Sequence, residues 1–219
     1  MPQIVTFIGW HDCGKTTLAV QVVSHLKEMG YRVAVVKSSK EEGVAFDTPG
    51  SDSYRHRQAG ADSVLFVAPD QMVLMTDNTN ISLTTIAHRY LPDFDIVIGE
   101  GFKHAGHVAK IEVVRDPKQQ LRKEVHGVIA VATDLNISSN YIFRLNESRK
   151  IALFIQKRFL DNGEKSRERT VLLINGDKVP LKEFVQKSLA GTVAGFVRSL
   201  KCAPDIREIE LRITLNKKQ

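Results

Sequence analysis

The chain has 219 residues, of which 42% are hydrophobic, and its formal net charge is +6. No apolar run approaches the roughly 20 residues that a membrane-spanning helix needs, which disfavours a transmembrane protein. The two cysteines, Cys13 and Cys202, form no C-x-x-C pair, and no secretory signal pattern opens the sequence. We therefore expect a protein of the reducing cytoplasm rather than a disulfide-built secreted domain.

The charge is unevenly distributed along the chain. Residues 1–148 carry 15 Lys or Arg against 17 Asp or Glu, which gives −2, whereas residues 149–219 carry 16 against 8, which gives +8. A basic tail indicates an anionic partner: nucleic acid, a phosphorylated small molecule or an acidic protein. No RNA-binding aromatic motif accompanies the charge, which disfavours nucleic acid as the partner.

The first predicted elements are a strand, a glycine-containing loop and a helix. The stretch "QIVTFI" (residues 3–8) has the apolar, β-branched composition of a strand buried on both faces. Downstream, apolar residues recur every three or four positions on one helical face, and Gly30 follows where the helix would end. These helical positions are Leu18, Val22, Leu26 and Met29.

The loop between strand and helix matches the phosphate-binding pattern G-x-x-x-x-G-K-[ST], from Gly9 to Thr16. Its backbone N–H groups and the positive end of the helix dipole would converge on a phosphate. Lys15 would neutralise the outer phosphates, and the Thr16 hydroxyl would complete a magnesium shell. The alternative is a tight turn with a solvated lysine, which the agreement of the flanking elements disfavours. Trp10 would either shield this loop or pack under it.

The remaining sequence up to residue 163 alternates strands with helices. This alternation predicts an α/β fold with a wound, mostly parallel sheet and helices on its faces. Strands are predicted at 32–37, 63–69, 71–76, 94–102, 109–115 and 127–134. The strands at 63–69 and 71–76 would be adjacent, joined through Pro69-Asp70. Helices are predicted at 51–61, with Ser51 or Asp52 as N-cap, at 81–91 and at 147–163. The polar segment 38–52 reads as a long functional loop.

A carboxylate is expected opposite the phosphate loop of a magnesium-nucleotide site. The strand "DIVIGE" offers Asp95 at its start and Glu100 at its end, separated by roughly 16 Å of extended chain. Ligands of open α/β sheets bind beyond the carboxyl ends of the strands, which selects Glu100. Asp95 is then expected to face solvent, and Gly101 would permit backbone close to a ligand.

Three further positions follow strand ends. Lys103 would reach a phosphate or a second anionic substrate, or it is a solvated loop lysine. Asp134 would contact the base or ribose, or it caps the following turn. His104 and His107 lack the third ligand that a metal site would need.

The C-terminal part is predicted to be a separate, basic unit. Residues 1–162 would form the first domain, 163–169 a charged linker and 170–219 a small α+β unit of ββαβ order. A hairpin is predicted around Asn175-Gly176-Asp177, a helix over 182–201 and a last strand over 207–215. About 50 residues are few for independent stability, so this unit is expected to pack on something.

Five stretches occur in an order that resembles the MobB family, the molybdopterin-guanine dinucleotide biosynthesis protein B family. They are "TFIGWHDCGKTT", "FDTPGSDSYRHRQAGA", "VLMTD", "DIVIGEGFKHAGHVAKIEVVR" and "VIAVATD". The resemblance covers about residues 3 to 155. It implies a P-loop NTPase-like fold, a homodimer and weak hydrolysis of GTP with Mg²⁺. It also implies assistance to the nucleotidyltransferase that joins GMP to molybdopterin, which is itself a candidate ligand.

The motifs, the strand ends and the resemblance together indicate a set of site residues. Lys15 and Glu100 would be catalytic, and Thr16 and Glu100 would hold the metal. The residues that would bind cofactor are Gly9, Trp10, His11, Asp12, Cys13, Gly14, Lys15, Thr16, Thr17, Asp47, Lys103 and Asp134. The segment Asp47 to Ser53 would respond to nucleotide or contact the cofactor. The chain has "KSSKEEG" where many members are histidine-rich, and its basic C-terminal unit exceeds the short form of the family.

The leading interpretation is therefore a GTP-binding accessory protein of molybdenum or tungsten cofactor maturation. Two alternatives remain at this point: a small-molecule kinase with 38–52 as its lid, and a nucleotide-dependent binding module that does not hydrolyse. No N-K-x-D signature follows the strands, so the preference for GTP over ATP depends on the resemblance alone. No arginine finger is identifiable from the pattern, which fits slow turnover.

Overall fold

The structure, a computed structural model, describes residues 2–78, 80–161, 170–174, 177–200, 206, 209–213 and 215. The chain divides into two compact units, residues 1–164 and 165–219. The linker predicted at 163–169 lies outside the described residues.

The first unit contains eight strands and four α-helices within the described residues. The strands are β1 (Gln3–Ile8), β2 (Val33–Lys37), β3 (Ser63–Val67), β4 (Met72–Thr76), β5 (Ile96–Glu100), β6 (Ala109–Val113), β7 (Val128–Ala132) and β8 (Ile142–Phe143). The helices are α1 (Lys15–Glu28), α2 (Asp52–Gln58), α3 (Leu83–Tyr90) and α4 (Ser148–Ile155). A π-helical turn, Gln156–Leu160, extends α4.

Six strands form one parallel sheet in the order β2-β5-β1-β6-β7-β8. The strand β1 is therefore central, with β5 on one side and β6 on the other. In the register of β1 with β5, Phe7 lies opposite Glu100. The carboxyl ends of the three strands thus meet at one edge of the sheet, and the predicted wound α/β fold is confirmed.

The two faces of the sheet are covered differently. Helices α1 and α4 share a large apolar core with one face, where Val22, Phe7 and Ile155 are fully buried. A smaller cluster of Ala34, Ala87 and Val97 joins α3 to the other face. Burial of this apolar area, at roughly 25 cal/mol per Å², is the main stabilising contribution to the unit.

The face that carries α3 also buries polar side chains, each satisfied by a loop. The Thr6 hydroxyl lies 2.8 Å from the carbonyl oxygen of Gly101. The Lys110 ammonium donates to the carbonyl oxygen of Ala105 at 2.7 Å. The Glu112 carboxylate accepts from the backbone N–H of Leu121. These bonds fix the segments 101–108 and 114–125 to the sheet.

Two details of the first unit differ from the sequence prediction. Strands β3 and β4 are adjacent as predicted, paired antiparallel from Ser63↔Thr76 to Val67↔Met72, but they form their own hairpin and do not join the large sheet. The short strand β8 was not predicted, because two residues inside a polar stretch give no periodic signal. The helix predicted at 51–61 is confirmed as α2, with Ser51 as its N-cap.

The second unit contains an antiparallel hairpin, β9 (Leu172–Ile174) with β10 (Asp177–Val179), and a helix, α5 (Glu183–Ser199). The predicted hairpin and helix are confirmed, although residues 175 and 176 of the turn lie outside the described residues. Of the strand predicted over 207–215, residues 209–213 and 215 are described and form no strand. Across the described parts of the chain, no helix is long and apolar enough to cross a membrane.

Candidate functional site

The loop between β1 and α1 has the backbone conformation of an anion-binding nest. Gly9, Asp12 and Gly14 have φ values of 155°, 55° and 89°. A Cβ at Gly9 would lie 2.5 Å from the carbonyl oxygen of Val113, so a larger residue does not fit. The first amides of a helix have no intrahelical acceptor, and Gly14 supplies no side-chain cap to α1. These amides remain available to an anionic ligand.

Lys15 folds back over this loop. Its ammonium donates to the carbonyl oxygen of Trp10 at 2.5 Å and lies 3.8 Å from the Cys13 sulfur. Within the described part of the chain, no carboxylate forms a salt bridge with it. The lysine charge is thus held at the loop by neutral groups, which leaves it available to a phosphate.

The other loop side chains differ in what they can contribute. His11 and Asp12 pair with each other at 2.8 Å, and both side chains are about nine-tenths exposed to solvent. Trp10 is 45% exposed, which disfavours packing beneath the loop. The Cys13 side chain is buried, as expected for a filler residue.

Thr16 and Glu100 meet on the β5 side of the loop. The Thr16 hydroxyl donates to Glu100 Oε1, and Lys37 Nζ lies 3.7 Å from the same oxygen. The Glu100 side chain is only 12% exposed. A hydroxyl beside a carboxylate, next to a phosphate nest, suits Mg²⁺, which prefers a few oxygen ligands together with waters and phosphates. Thr16 and Glu100, the two residues predicted to hold the metal, are therefore adjacent, and their oxygen atoms suit Mg²⁺.

Asp95 lies at the opposite end of β5, as expected from the strand direction. Its Oδ2 accepts from the backbone N–H of Arg32 at 2.8 Å, and the residue is half-buried. Asp95 therefore lies at the strand boundary as predicted, and its partly exposed carboxylate also caps the backbone just before β2. Among the described residues, His104 and His107 included, no group of three His, Cys, Asp or Glu is placed to hold a metal ion.

A cavity of about 480 Å³ opens on the β6 and β7 side of the loop. It is lined by Gly14, Thr17, Leu18, Gln21, Arg115, Asp134, Leu145 and Asn146. Asp134 Oδ1 accepts from the backbone N–H of Leu145 at 3.1 Å, which orients the carboxylate. The structure thus brings Thr17 and Asp134 into one cavity, and a contact of Asp134 with base or ribose stays a prediction.

Asp47 and Lys103 are less closely tied to the site. Asp47 accepts from the Ser51 hydroxyl and from the backbone N–H of Thr48, both at 2.8 Å. These bonds, that of Ser51 first, hold the pKa of the carboxyl below its usual value. Asp47 thus orders the turn before α2, and none of its described bonds reaches the loop 9–17. Lys103 is half-buried in the segment 101–108, where no described residue bonds to its side chain.

Sequence reasoning missed two cations at this edge of the sheet. Arg115 follows β6, and its Nε donates to the carbonyl oxygen of Cys13 at 3.0 Å. Lys37 is the last residue of β2 and approaches Glu100. The available signal was a lone basic residue at the carboxyl end of a predicted strand, but only the strand order shows which ends adjoin the loop.

Comparison with known proteins agrees with the motifs. Residues 4–134 match the family model of MobB, described as molybdopterin guanine dinucleotide synthesis protein B. The Escherichia coli (strain K12) molybdopterin-guanine dinucleotide biosynthesis adapter protein is 31% identical over 163 residues, which are 71% of this chain and 92% of that protein. A putative adapter protein of the same name from Methanocaldococcus jannaschii is 24% identical over 238 residues, covering 98% of this chain and 99% of that one.

Solved structures show the same architecture. A crystal structure of molybdopterin-guanine biosynthesis protein B has a TM-score of 0.59 and 32% identity, and the match covers 70% of this chain and 98% of that chain. The Bacillus subtilis MobB structure, at 22% identity and a TM-score of 0.59, supports the fold alone. The fold is accordingly P-loop NTPase-like, and the family match spans the nest, Glu100 and Arg115. This chain belongs to the MobB family.

Proposed function

We propose that this protein is an adapter in molybdopterin-guanine dinucleotide biosynthesis that binds GTP with Mg²⁺ and hydrolyses it slowly. In this role it assists a partner nucleotidyltransferase. The observation that carries the proposal is the contact of Thr16 with Glu100 beside the nest formed by Gly9 to Thr16. The names of the relatives support the pathway.

The chain supplies binding and charge neutralisation rather than covalent chemistry. The nest amides and Lys15 would bind the outer phosphates, and Thr16 and Glu100 would hold the metal. Bound Mg²⁺ would neutralise charge on the two outer phosphates. Glu100, largely shielded from solvent, would orient a metal-bound water or the attacking water. Such a site speeds phosphoryl transfer mainly by positioning, and hydrolysis without an arginine at the terminal phosphate is slow.

The cavity beside the loop supports guanine as the base. A carboxylate at Asp134 could accept hydrogen bonds from the two adjacent N–H groups on the guanine edge. Adenine presents an acceptor at the equivalent ring position, which a carboxylate disfavours. The Asp134 carboxylate keeps acceptor capacity, since its one described bond comes from the Leu145 amide.

The β3–β4 hairpin supports the homodimer that the family resemblance implies. The cross-strand pairs Leu65↔Leu74 and Val67↔Met72 share one face, and these four side chains are 45% to 69% exposed. A two-stranded hairpin is marginal on its own in water, so cover for this face would stabilise it. A second copy of the chain is the proposed cover.

Molybdopterin, through its phosphate, is the proposed ligand for the basic charge of residues 149–219.

Calorimetric titration with GTP and ATP, with and without Mg²⁺, tests the nucleotide site. Lys15→Ala should weaken Mg-GTP binding at least about tenfold, because it removes a charged phosphate contact. Lys27→Ala, near the other end of α1, is the matched control and should leave affinity unchanged. Unchanged Mg-GTP binding by Lys15→Ala would refute the site.

Single-turnover assays test the chemistry separately. We expect slow release of phosphate from bound GTP, and Glu100→Gln should lose most of this release while still binding nucleotide. Nucleotide that stays bound but intact in the unmodified protein would favour a binding module without hydrolysis. Transfer of phosphate to a small metabolite faster than to water would favour the kinase alternative.

A further inference from the structure

We propose that Arg115 binds the phosphate nearest to the nucleoside in the bound nucleotide. The loop motif assigns no such residue, and the proposal rests on the nucleotide site proposed above. It divides the site into two sides, with the metal at Glu100 and the inner phosphate at Arg115.

The order of the strands places Arg115 opposite Glu100. Strand β1 lies between β5 and β6, and the loop 9–14 follows β1. Glu100 ends β5, whereas Arg115 comes two residues after the end of β6. The two side chains therefore approach the same loop from opposite sides. A nucleotide in the nest would have its outer phosphates beside Glu100 and its sugar end beside Arg115.

The guanidinium is anchored in a way that leaves most of its donors available. Its Nε donates to the carbonyl oxygen of Cys13 at 3.0 Å, and a terminal nitrogen lies 3.2 Å from where a Cβ of Gly14 would be. No described residue bonds to its terminal nitrogens. One of its five N–H groups is thus used to hold the group over the start of α1, and four remain.

The cavity beside Arg115 indicates what those donors would bind. Arg115 and Asp134 line the same cavity, yet they form no ion pair within the described residues. The ligand that suits both groups has an anionic end for the guanidinium and N–H or hydroxyl donors for the carboxylate. A nucleoside 5′-phosphate has both, with the phosphate and the base at opposite ends. Thr17, at the first turn of α1, would complete the phosphate contact.

This position predicts which ligands depend on Arg115. The inner phosphates are present in GDP and GTP alike, so both should lose affinity by the same factor in Arg115→Gln. Loss of a charged hydrogen bond corresponds to about a tenfold to hundredfold change. Inorganic pyrophosphate supplies the outer two phosphates alone, and its affinity should not change. A role limited to shaping the loop through the Cys13 carbonyl would instead weaken pyrophosphate as well.

The experiment titrates the full chain with Mg-GDP, Mg-GTP and magnesium pyrophosphate while following the fluorescence of Trp10, the single tryptophan. Lys123→Gln, an exposed charge in the segment 114–125, is the control and should bind all three ligands as the parent does. Thermal melting checks that each variant is folded. GDP and GTP weakened equally, with pyrophosphate unchanged, supports the proposal. Unchanged GDP affinity, or pyrophosphate weakened to the same extent, overturns it. If the parent protein itself binds neither nucleotide, the proposed function fails instead.

Discussion

Replacement of Glu112 by alanine should strongly destabilise the first unit. Glu112 lies on β6 and is fully buried. Its carboxylate accepts from the backbone N–H of Leu121, from the backbone N–H of Arg122 at 3.3 Å and from the Arg122 guanidinium at 3.4 Å. The Arg122 side chain is only 18% exposed, so the ion pair is largely shielded from water. Alanine would remove all three bonds at once.

The expected cost follows from these bonds. Removing one partner of a buried ion pair costs about 3–5 kcal/mol, because the other charge stays buried without compensation. The Leu121 amide, in a residue that is only 2% exposed, would also lose its acceptor. An unsatisfied buried donor costs about 1–3 kcal/mol, and part of this cost would add to the loss of stability. We expect the free energy of unfolding to fall by about 4 kcal/mol in Glu112→Ala. Glu112→Gln keeps the shape and one acceptor, so about half of that loss is expected.

Urea unfolding followed by Trp10 fluorescence measures this change, because Trp10 lies in the first unit. The linear dependence on urea gives the free energy of unfolding and the slope m. Glu124→Ala, an exposed carboxylate in the same segment, is the control and should stay within about 0.5 kcal/mol of the parent. A loss below about 1 kcal/mol in Glu112→Ala would show that the pair contributes little and would refute the reasoning.

Three further predictions concern the loop and two ionisable groups. Gly9→Ala should abolish nucleotide binding in calorimetry, because the added Cβ would lie 2.5 Å from a backbone oxygen. Gly106→Ala is the control and should bind normally, because a Cβ there has no heavy atom within 4 Å. Burial lowers the pKa of Lys110 below its usual 10.5, so the unfolded chain binds this proton more tightly. The free energy of unfolding should therefore rise with pH from the folded pKa up to 10.5, and Lys110→Met should remove that rise in urea titrations. The pKa of Asp47 is lowered in the folded protein, chiefly by the hydrogen bond from Ser51. The ionised carboxylate therefore stabilises the folded state above its unfolded-state pKa, and this stabilisation is lost as the pH falls through its folded-state pKa. Melting curves of Asp47→Asn should accordingly lose this acid dependence; an unchanged acid limb would contradict it.

The parts of the fold with a strong local signal could be predicted from the sequence. The helix α1 follows from apolar residues at helical spacing, and its buried positions include Leu18, Val22 and Leu26 as expected. Glu100 could be selected over Asp95 because ligands gather at the carboxyl ends of parallel strands. Both inferences need only one element and its direction.

The missed features depend on which elements are neighbours. Arg115 and Cys13 are 102 positions apart, and they meet only because β6 pairs with β1. Lys37 approaches Glu100 because β2 pairs with β5. Neither pairing follows from periodicity, so each basic residue resembles a solvated charge at a strand end. The adjacency of β3 and β4 was predicted from their short connection, but their separation from the large sheet was not, since their apolar composition suits a strand of either sheet.

The buried polar residues of the sheet connect the fold to the site. A buried charge on a parallel strand is costly unless its bonds are satisfied, and Lys110 and Glu112 are satisfied by loop backbone. Lys110 thereby fixes the segment that follows Glu100, and Glu112 fixes the segment that begins at Val114 and carries Arg115. An apolar pair at these positions would suit the core but would leave both segments unanchored. The expected consequence is that Glu112→Gln lowers nucleotide affinity in calorimetry as well as stability, because the segment that carries Arg115 would keep the Cys13 contact but lose part of its attachment to the sheet.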